Sequence, residues 1–306
     1  MGAGHNHGPS VSAGGAHRGR LLTVLGITAT VLVAELVGAA LTGSLALLAD
    51  AGHMFTDVAG IVLAVLAVTF AAKPATPQRT FGYYRLEILA AVVNALLLFG
   101  IAVFILIEAW QRWQHPPQVD GGLMLIFATV GLVANVAGLL VLRDGAKASL
   151  NVKGAYLEVL GDLLGSVAVI LAAAVIAVTG WLRADPLASV AVALMILPRT
   201  WMLLREAIDV LLEATPKGVD MDQVRAHILD TAGVVDAHDL HAWTITSGMP
   251  VLSAHVVVSP ETLADEGGGK VLDELGQCLS AHFDVEHCTF QLEPAGHADH
   301  EHAMHG

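Results

Sequence analysis

Two pairs of potential metal-binding side chains stand four residues apart within otherwise apolar stretches of the sequence. His53 and Asp57 form the first pair, and Glu158 and Asp162 form the second. Residues four apart lie on the same face of an α-helix. Together the two pairs supply one imidazole nitrogen and three carboxylate groups, a donor set that can enclose a tetrahedral Zn²⁺ ion or a similar divalent cation.

Three carboxylates placed together in an apolar environment carry negative charge that has to be compensated, because charged side chains are costly inside a bilayer. A divalent cation offsets two of these charges, and protons can take its place when it leaves. Metal binding should therefore release protons, and protonation should expel the metal. A site that opened alternately to the two sides of a membrane would then exchange metal for protons. The alternative is that the four residues only hydrogen bond neighbouring helices and bind no ion.

The composition indicates the setting for this site, since 55% of the 306 residues are hydrophobic and only 14% are charged. Such values are typical of a membrane protein. About 20 apolar residues are needed for a helix to cross a bilayer. Six stretches meet this length, and we predict a six-helix transmembrane bundle with spans at 21–42, 46–72, 86–110, 122–142, 153–181 and 186–205.

The distribution of basic residues predicts the orientation of these spans, because Lys and Arg accumulate on the cytoplasmic side. Nine of them flank one side, and only Arg112 and Arg183 flank the other. Both termini should therefore be cytoplasmic. Spans two and five should run antiparallel, which places His53 level with Asp162 and Asp57 level with Glu158. Small residues should let these helices approach each other closely, namely Gly52, Thr56, Gly60, Gly161 and Gly165.

We single out four further polar residues in the predicted spans. We interpret Glu35, Asn94 and Asn135 as hydrogen-bonding partners between helices or as the lining of a hydrated cavity. Asp50 lies one turn before His53. It is either an access residue on the outer side of the site or part of the same hydrated lining.

The last hundred residues differ from the rest, with 3 basic and 17 acidic side chains, whereas residues 1–206 are almost neutral. This acidity argues against nucleic acid as a partner. Over 207–294 the pattern predicts helix, strand, strand, helix and strand, which suits a small two-layer α+β domain. A polar arm at 1–20, expected to be disordered, and a His-rich tail at 295–306 flank the predicted domains at 21–206 and 207–294.

Several segments together resemble the cation diffusion facilitators, which are proton-coupled zinc and cadmium efflux transporters. They are SLALLADAGHMFTD, FGYYRLEILAAVVNA, GDLLGSV, HDLHAWTITSG and HCTFQLE. The resemblance implies a homodimer with transport sites in the membrane and a metallochaperone-like, ferredoxin-like cytoplasmic domain. The zinc branch usually has His-x₃-Asp on spans two and five, but here Glu158 stands where the second His is common. A carboxylate weakens the preference for zinc, so cadmium, cobalt and manganese become further candidates.

The resemblance also implies a regulatory metal site in the cytoplasmic domain. His238, His255 and His287 match the family's zinc-binding positions, and Glu293 is a further candidate that we rank lower. His241 lies nearby and is a candidate of the same lower rank. The cysteines Cys278 and Cys288 are more typical of small buried apolar side chains than of ligands.

The sequence thus predicts a proton-coupled antiporter in the cell membrane that exports Zn²⁺, with Zn²⁺ as substrate and regulatory ligand and no other cofactor. We do not expect an enzyme, because an intramembrane metalloprotease would need a motif such as HExxH and an open coordination position. A membrane metal sensor without transport is the main alternative. A passive channel is less compatible with four protein ligands, since tight binding slows ion exit.

Overall fold

The structure is a computed structural model that describes residues 11–145, 150–264, 267–283, 285 and 287–297. Two compact units can be distinguished, each of which is continuous in space but not in sequence. The first contains Met1–Val65 and Val93–Leu204, and the second contains Leu66–Val92 and Arg205–Gly306.

Six long apolar helices dominate the described chain, and each is long and apolar enough to cross a membrane. The predicted six-helix membrane fold is therefore confirmed. The helices extend further than the predicted spans at several ends. Their bounds are α1 Val11–Thr42, α2 Leu45–Ala71, α3 Leu86–Gln114, α4 Gly121–Leu142, α5 Leu150–Thr179 and α6 Ala184–Leu211.

The side chains of the helices divide into a packed interior and a broad apolar exterior. Met124, Val169 and Ala173 belong to a buried cluster that joins several helices of the first unit. Large apolar side chains such as Leu97 and Leu171 are exposed instead. An exposed apolar exterior of this extent is unusual for a soluble protein, and it fits contact with lipid.

Asp185, at the start of α6, determines where α2 begins. Its carboxylate accepts hydrogen bonds from the main-chain N–H groups of Leu45 and Ala46 at 2.8 and 3.1 Å, and from the hydroxyl of Ser44 at 2.5 Å. The first N–H groups of a helix have no partner within the helix, and a carboxylate there also interacts favourably with the helix dipole. Asp185 thus anchors the helix that carries His53 and Asp57.

The second unit contains a small α+β domain, as predicted. Its elements are α7 Met221–Leu229, β1 Val234–Thr244, β2 Pro250–Val258, α8 Pro260–Ala264, α9 Gly267–Phe283 and β3 His287–Pro294. The strands form one sheet in the order β1-β2-β3, with β1 antiparallel and β3 parallel to β2. Ile228 of α7 and Leu275 of α9 are buried in one core together with strand residues such as Val256. The predicted order of helices and strands is thus found, with the short α8 as an addition.

The N-terminal arm is partly helical, which differs from the prediction. Helix α1 begins at Val11, so the structure has a helix over 11–20, where we expected the end of a disordered arm. Apolar residues of the span follow directly, and a helix propagates more easily than it nucleates. Residues 1–10 of that arm and 298–306 of the His-rich tail lie outside the described residues.

Candidate metal centres

His53 and Asp57 of α2 meet Asp162 of α5 in the interior of the first unit. The distance from His53 Nε2 to Asp162 Oδ1 is 3.3 Å, and that to Asp57 Oδ2 is 3.7 Å. One ligand atom from each residue lies within 4.8 Å of the others. Two ligands about 2.0 Å from a tetrahedral Zn²⁺ ion are about 3.3 Å apart. The three side chains are therefore spaced closely enough to share one cation.

Several polar atoms in this region are buried and form no hydrogen bond with the described residues. They include His53 Nδ1, Asp57 Oδ2, Asn94 Oδ1 and Asp162 Oδ1. Buried polar atoms are hydrogen bonded in the great majority of cases, so a group of unsatisfied acceptors requires a separate explanation. A bound cation would satisfy the carboxylate oxygens, and the residues present therefore fit a metal.

Helix packing brings these residues together in the predicted antiparallel register. Asp50 lies against Gly165, where an added Cβ would be 3.0 Å from its carboxylate oxygen. His53 lies against Asp162, three positions earlier on α5. The residue numbers thus rise on one helix as they fall on the other. Gly165 permits this approach because it has no side chain.

A second cluster lies on the sheet of the α+β domain. Glu293 Oε1 is 2.8 Å from His255 Nδ1, and Glu293 Oε2 is 3.1 Å from His238 Nε2. The two imidazole rings are 5.2 Å apart between centroids. The carboxylate is buried with only 2% of the side chain exposed, whereas both histidines are partly accessible. Two nitrogen donors and one carboxylate are a suitable partial ligand set for zinc.

Strand register explains why these three residues converge. His238 of β1 pairs with His255 of β2, and His255 pairs with Gln291 of β3. Glu293 is two residues beyond Gln291. Because successive side chains alternate between the two faces of a sheet, Glu293 returns to the same face as the histidines. The Gln291 side-chain amide also donates to Glu293 Oε1 at 2.8 Å.

Two family models match nearly all of the chain. The cation efflux transmembrane domain matches residues 21–212, and the cytoplasmic domain of cation efflux proteins matches residues 216–295. The chain belongs to the cation efflux family. This confirms the predicted resemblance and the expectation of a cation efflux transporter rather than an enzyme.

Three curated relatives are similar to this cation efflux protein over almost their whole length. The metal cation efflux system protein CzcD of Cupriavidus metallidurans is 48% identical over 98% of this chain and 93% of its own. The zinc transporter ZitB of Escherichia coli is 41% identical over 96% and 93%. The cadmium, cobalt and zinc/H⁺-K⁺ antiporter of Bacillus velezensis is 40% identical over 97% and 93%.

Glu158, the predicted fourth ligand of the cation efflux site, lies apart from the three-residue cluster. Its carboxylate is 3.0 Å from Arg199 of α6, and a third of its side chain is exposed. Both residues line the same cavity of about 220 Å³ as His53 and Asp57. Gly161 also lines this cavity, and an added Cβ there would touch no neighbour. We had predicted that Gly161 would let helices approach each other, but the structure shows that it lines the cavity and has no close neighbour.

From the sequence we did not single out Arg199, which pairs with Glu158, or Asp185, which accepts hydrogen bonds at the start of α2. An arginine within a predicted span is a signal in itself, because such a charge needs a partner or a hydrated cavity. Asp185 lies just before the predicted sixth span, at 186–205. Its role depends on the approach of α6 to the start of α2, which the local sequence does not reveal.

Asn135 and Asp50, two of the remaining polar residues of the spans, belong to a buried hydrogen-bond network beside the cluster. Asn135 Nδ2 donates to Ser166 Oγ at 3.1 Å, and the Ser166 hydroxyl in turn donates to Asp50 Oδ2 at 3.5 Å. Glu35 is 1% exposed. Asn135 thus connects α4 with α5, as predicted, while Asp50 and Asn94 line the cavity.

Two of the predicted cytoplasmic ligands lie outside the cluster on the sheet. His287 pairs with Val251, four positions along β2 from His255, which is about 13 Å at 3.3 Å per residue. Its ring lies 5.9 Å from the ring of Phe81. His241 Nε2 is 2.9 Å from Asp239 Oδ1. Glu293, which we had ranked lower, is the residue that joins His238 and His255.

Proposed function

We propose that this cation efflux protein exports Zn²⁺, together with Cd²⁺ and Co²⁺, from the cytoplasm in exchange for protons. The observation that carries the proposal is the buried cluster of His53, Asp57 and Asp162 with its unsatisfied acceptor atoms. The printed names of the relatives, which include zinc transport and an H⁺-K⁺ antiport of cadmium, cobalt and zinc, support the same activity. Mn²⁺, a harder cation, should be compared with Zn²⁺, Cd²⁺ and Co²⁺ as a substrate.

Charge explains how one site can alternate between metal and protons. Two carboxylates and a neutral imidazole bind a divalent cation with no net charge left over. When the cation leaves, the same side chains have to accept protons, because uncompensated carboxylates are costly in the membrane interior. Ligands must be deprotonated to bind metal, so protons arriving from outside displace the ion.

We propose that Glu158 is the fourth ligand and that the cation competes with Arg199 for it. Without metal, Arg199 neutralises Glu158 at 3.0 Å. When a cation occupies the cluster, Glu158 turns from Arg199 toward the cation and completes a tetrahedron of one nitrogen and three oxygens. This exchange would couple occupancy of the site to the position of α6.

The orientation of the chain follows from its basic residues. We propose a multi-pass protein of the cell membrane with both termini in the cytoplasm, because most Lys and Arg flank that side. We also propose that a transmembrane domain at 21–206 and a cytoplasmic domain at 207–294 are flanked by an N-terminal arm at 1–20 and a His-rich tail at 295–306. Metal would then enter the 220 Å³ cavity from the cytoplasm and leave on the outer side.

We propose that the protein is a homodimer whose cytoplasmic domain binds regulatory zinc through His238, His255 and Glu293. The matched cytoplasmic-domain family model supports this role. His287 is too far along its strand to reach the cluster of its own protomer. It could complete such a site only from the second protomer, which would connect metal binding with dimerisation.

The decisive experiment measures metal flux in proteoliposomes with an imposed pH gradient. Zn²⁺, Cd²⁺, Co²⁺ and Mn²⁺ are compared, and internal pH is recorded together with metal uptake. We expect protons to move opposite to the metal, and metal flux to be faster when the imposed gradient drives protons in that opposite direction. Metal binding without flux would instead support a membrane sensor, and flux that does not respond to the proton gradient would support a channel.

A further inference from the structure

We infer that His227, Cys278 and His282 form an additional metal site in the cytoplasmic domain, one that takes thiophilic divalent cations such as Cd²⁺ and Zn²⁺. These residues lie on the two helices α7 and α9. None of them belongs to the cluster on the sheet or to the cluster in the membrane-spanning helices. The site therefore does not depend on the transport activity proposed above.

The distances between the donor atoms suit one bound cation. Cys278 Sγ is 3.4 Å from His227 Nδ1 and 3.7 Å from His282 Nδ1. One ligand atom from each residue lies within 4.8 Å of the others. A sulfur about 2.3 Å and a nitrogen about 2.0 Å from a tetrahedral Zn²⁺ ion are about 3.5 Å apart. The cluster is thus already close to the geometry of three corners of a tetrahedron.

The two helices hold the three side chains in place through the domain core. Cys278 and His282 are one helical turn apart, so both lie on the same face of α9. Leu279, next to Cys278, and Ile228, next to His227, are both fully buried. The ring of His227 also packs edge-on against Phe283, with 5.3 Å between centroids. A metal would therefore bind to an arrangement that core packing has already formed.

Sulfur distinguishes this site from the other two metal clusters, which offer only nitrogen and oxygen. Binding of a divalent cation would replace the thiol proton, so that Cys278 binds as thiolate and one proton is released. The two imidazoles bind as neutral donors. The Nδ1–H of His282 donates to the Cys278 carbonyl at 2.8 Å in the metal-free protein. When the cation binds, the proton moves to Nε2, and Nδ1 exchanges this hydrogen bond for the metal.

Solvent can supply the fourth ligand, because the site lies at the surface of the domain. His282 is exposed, and His227 and Cys278 are partly buried. Three protein ligands with one open position permit faster exchange than a closed four-ligand site. Such a site is suited to cations that are captured and released, and an occupied site would clamp α7 to α9.

Cys288 provides a matched comparison, since it is the only other cysteine in the chain. Its thiol is 3.5 Å from the main-chain oxygen of Val285, and burial raises the pKa of this thiol. A thiol with a raised pKa forms the metal-binding thiolate less readily. No histidine is grouped with it among the described residues. Cys288 should therefore stay free of metal.

The test is a Cd²⁺ titration of the reduced full-length protein in detergent, followed by the ultraviolet charge-transfer absorption of the cadmium–thiolate bond. We expect this absorption in the wild type and in Cys288→Ser, and its loss in Cys278→Ser. His227→Ala should weaken the apparent Cd²⁺ affinity by about tenfold or more, because ligand-shell changes have at least that effect. Binding at the other two clusters would give no such absorption.

Alkylation provides a second measurement that does not require a variant to fold. We expect Cd²⁺ to protect Cys278 from a thiol reagent in the wild-type protein, with no corresponding effect on Cys288, as read by peptide mass spectrometry. The inference is overturned if the wild type shows no thiolate absorption, if Cys278→Ser retains it, or if Cd²⁺ leaves the alkylation of Cys278 unchanged. These measurements do not depend on transport, so a failure of the proposed transport function would leave them unchanged.

Discussion

At the scale of single residues, each proposed ligand of the membrane cluster should make a contribution that a neighbour cannot replace. Asp162 has only 4% of its side chain exposed and lies 3.3 Å from His53, while Asp57 approaches the same nitrogen from one turn away on α2. Removing one carboxylate leaves a donor set of lower charge, and therefore a weaker site for a divalent cation.

Asp57→Asn should abolish Zn²⁺ flux in proteoliposomes, because the amide is uncharged and does not exchange a proton. The protein should still elute as a folded species, since the side chain is a proposed ligand and not part of the apolar core. Asp144→Asn, in an exposed loop with 73% of the aspartate side chain accessible, is the matched control and should retain flux. Wild-type flux in Asp57→Asn would exclude this residue from the transport site.

Arg199→Gln tests the proposed competition for Glu158. Without its guanidinium partner, Glu158 is free to bind the cation, so the apparent Zn²⁺ affinity should rise, whereas Glu158→Gln should lower it. Calorimetric titration of both variants measures these opposite effects. Arg205→Gln, at an exposed position on α6, is the control and should leave the apparent Zn²⁺ affinity unchanged. Equal affinities in all four proteins would show that Glu158 is not a ligand.

Glu158→His should shift selectivity toward Zn²⁺ and away from Mn²⁺, because an imidazole favours zinc over harder cations that prefer oxygen. The ratio of the two fluxes under the same pH gradient is the measurement. An unchanged ratio would mean that the cation does not contact position 158 during transport.

At the scale of elements, the position of the metal cluster depends on where helices begin and how closely they pack. Asp185 caps α2 from the start of α6, and Arg112 Nη1 lies 3.8 Å from the same carboxylate. The capping carboxylate is almost completely buried. Changing it should therefore affect both the stability of the helix and the position of His53, two turns further along.

Asp185→Asn should lower the free energy of unfolding by about 2 kcal/mol, as expected for weakening hydrogen bonds to a buried charged acceptor. Asp120→Asn is the matched control, because Asp120 caps α4 at an exposed position and Asn is an equally good N-cap residue. Thermal unfolding in detergent should show a lower midpoint for the first variant alone. Equal midpoints would mean that the buried cap contributes little to the fold.

At the scale of the whole molecule, two chemically different regions are joined in one chain. The near-neutral helices place a histidine and two aspartates in an apolar setting, whereas the acidic C-terminal part places imidazoles and a buried carboxylate on a small sheet. Such a division is consistent with transport in one region and sensing of cytoplasmic metal in the other.

Glu293→Gln should reduce the stabilisation of the dimer by Zn²⁺, because Glu293 contacts both His238 and His255. Sedimentation equilibrium with and without Zn²⁺ measures the change in dimer dissociation. Glu261→Gln, in the short helix α8, is a control at an exposed position. The regulatory proposal fails if Zn²⁺ stabilises the Glu293→Gln dimer as strongly as the wild type.

Local patterns in the sequence were sufficient for the six spans, for the i,i+4 pairs and for the order of elements in the cytoplasmic domain. Hydrophobic length and side-chain periodicity are properties of neighbouring residues, so they are visible before folding. The pairing of His53 with Asp162 also followed, because antiparallel helices have a simple register.

Only the tertiary structure decided which of several plausible ligands meet. Arg199 is 41 residues from Glu158 and donates a hydrogen bond to its carboxylate, which no local pattern reveals. The register of β3 brings Glu293, and not His287, to the two histidines of the sheet. His227 and Cys278 are 51 residues apart, and they meet because α7 and α9 share one core. Contacts between distant residues depend on packing and register, which are properties of the folded chain as a whole.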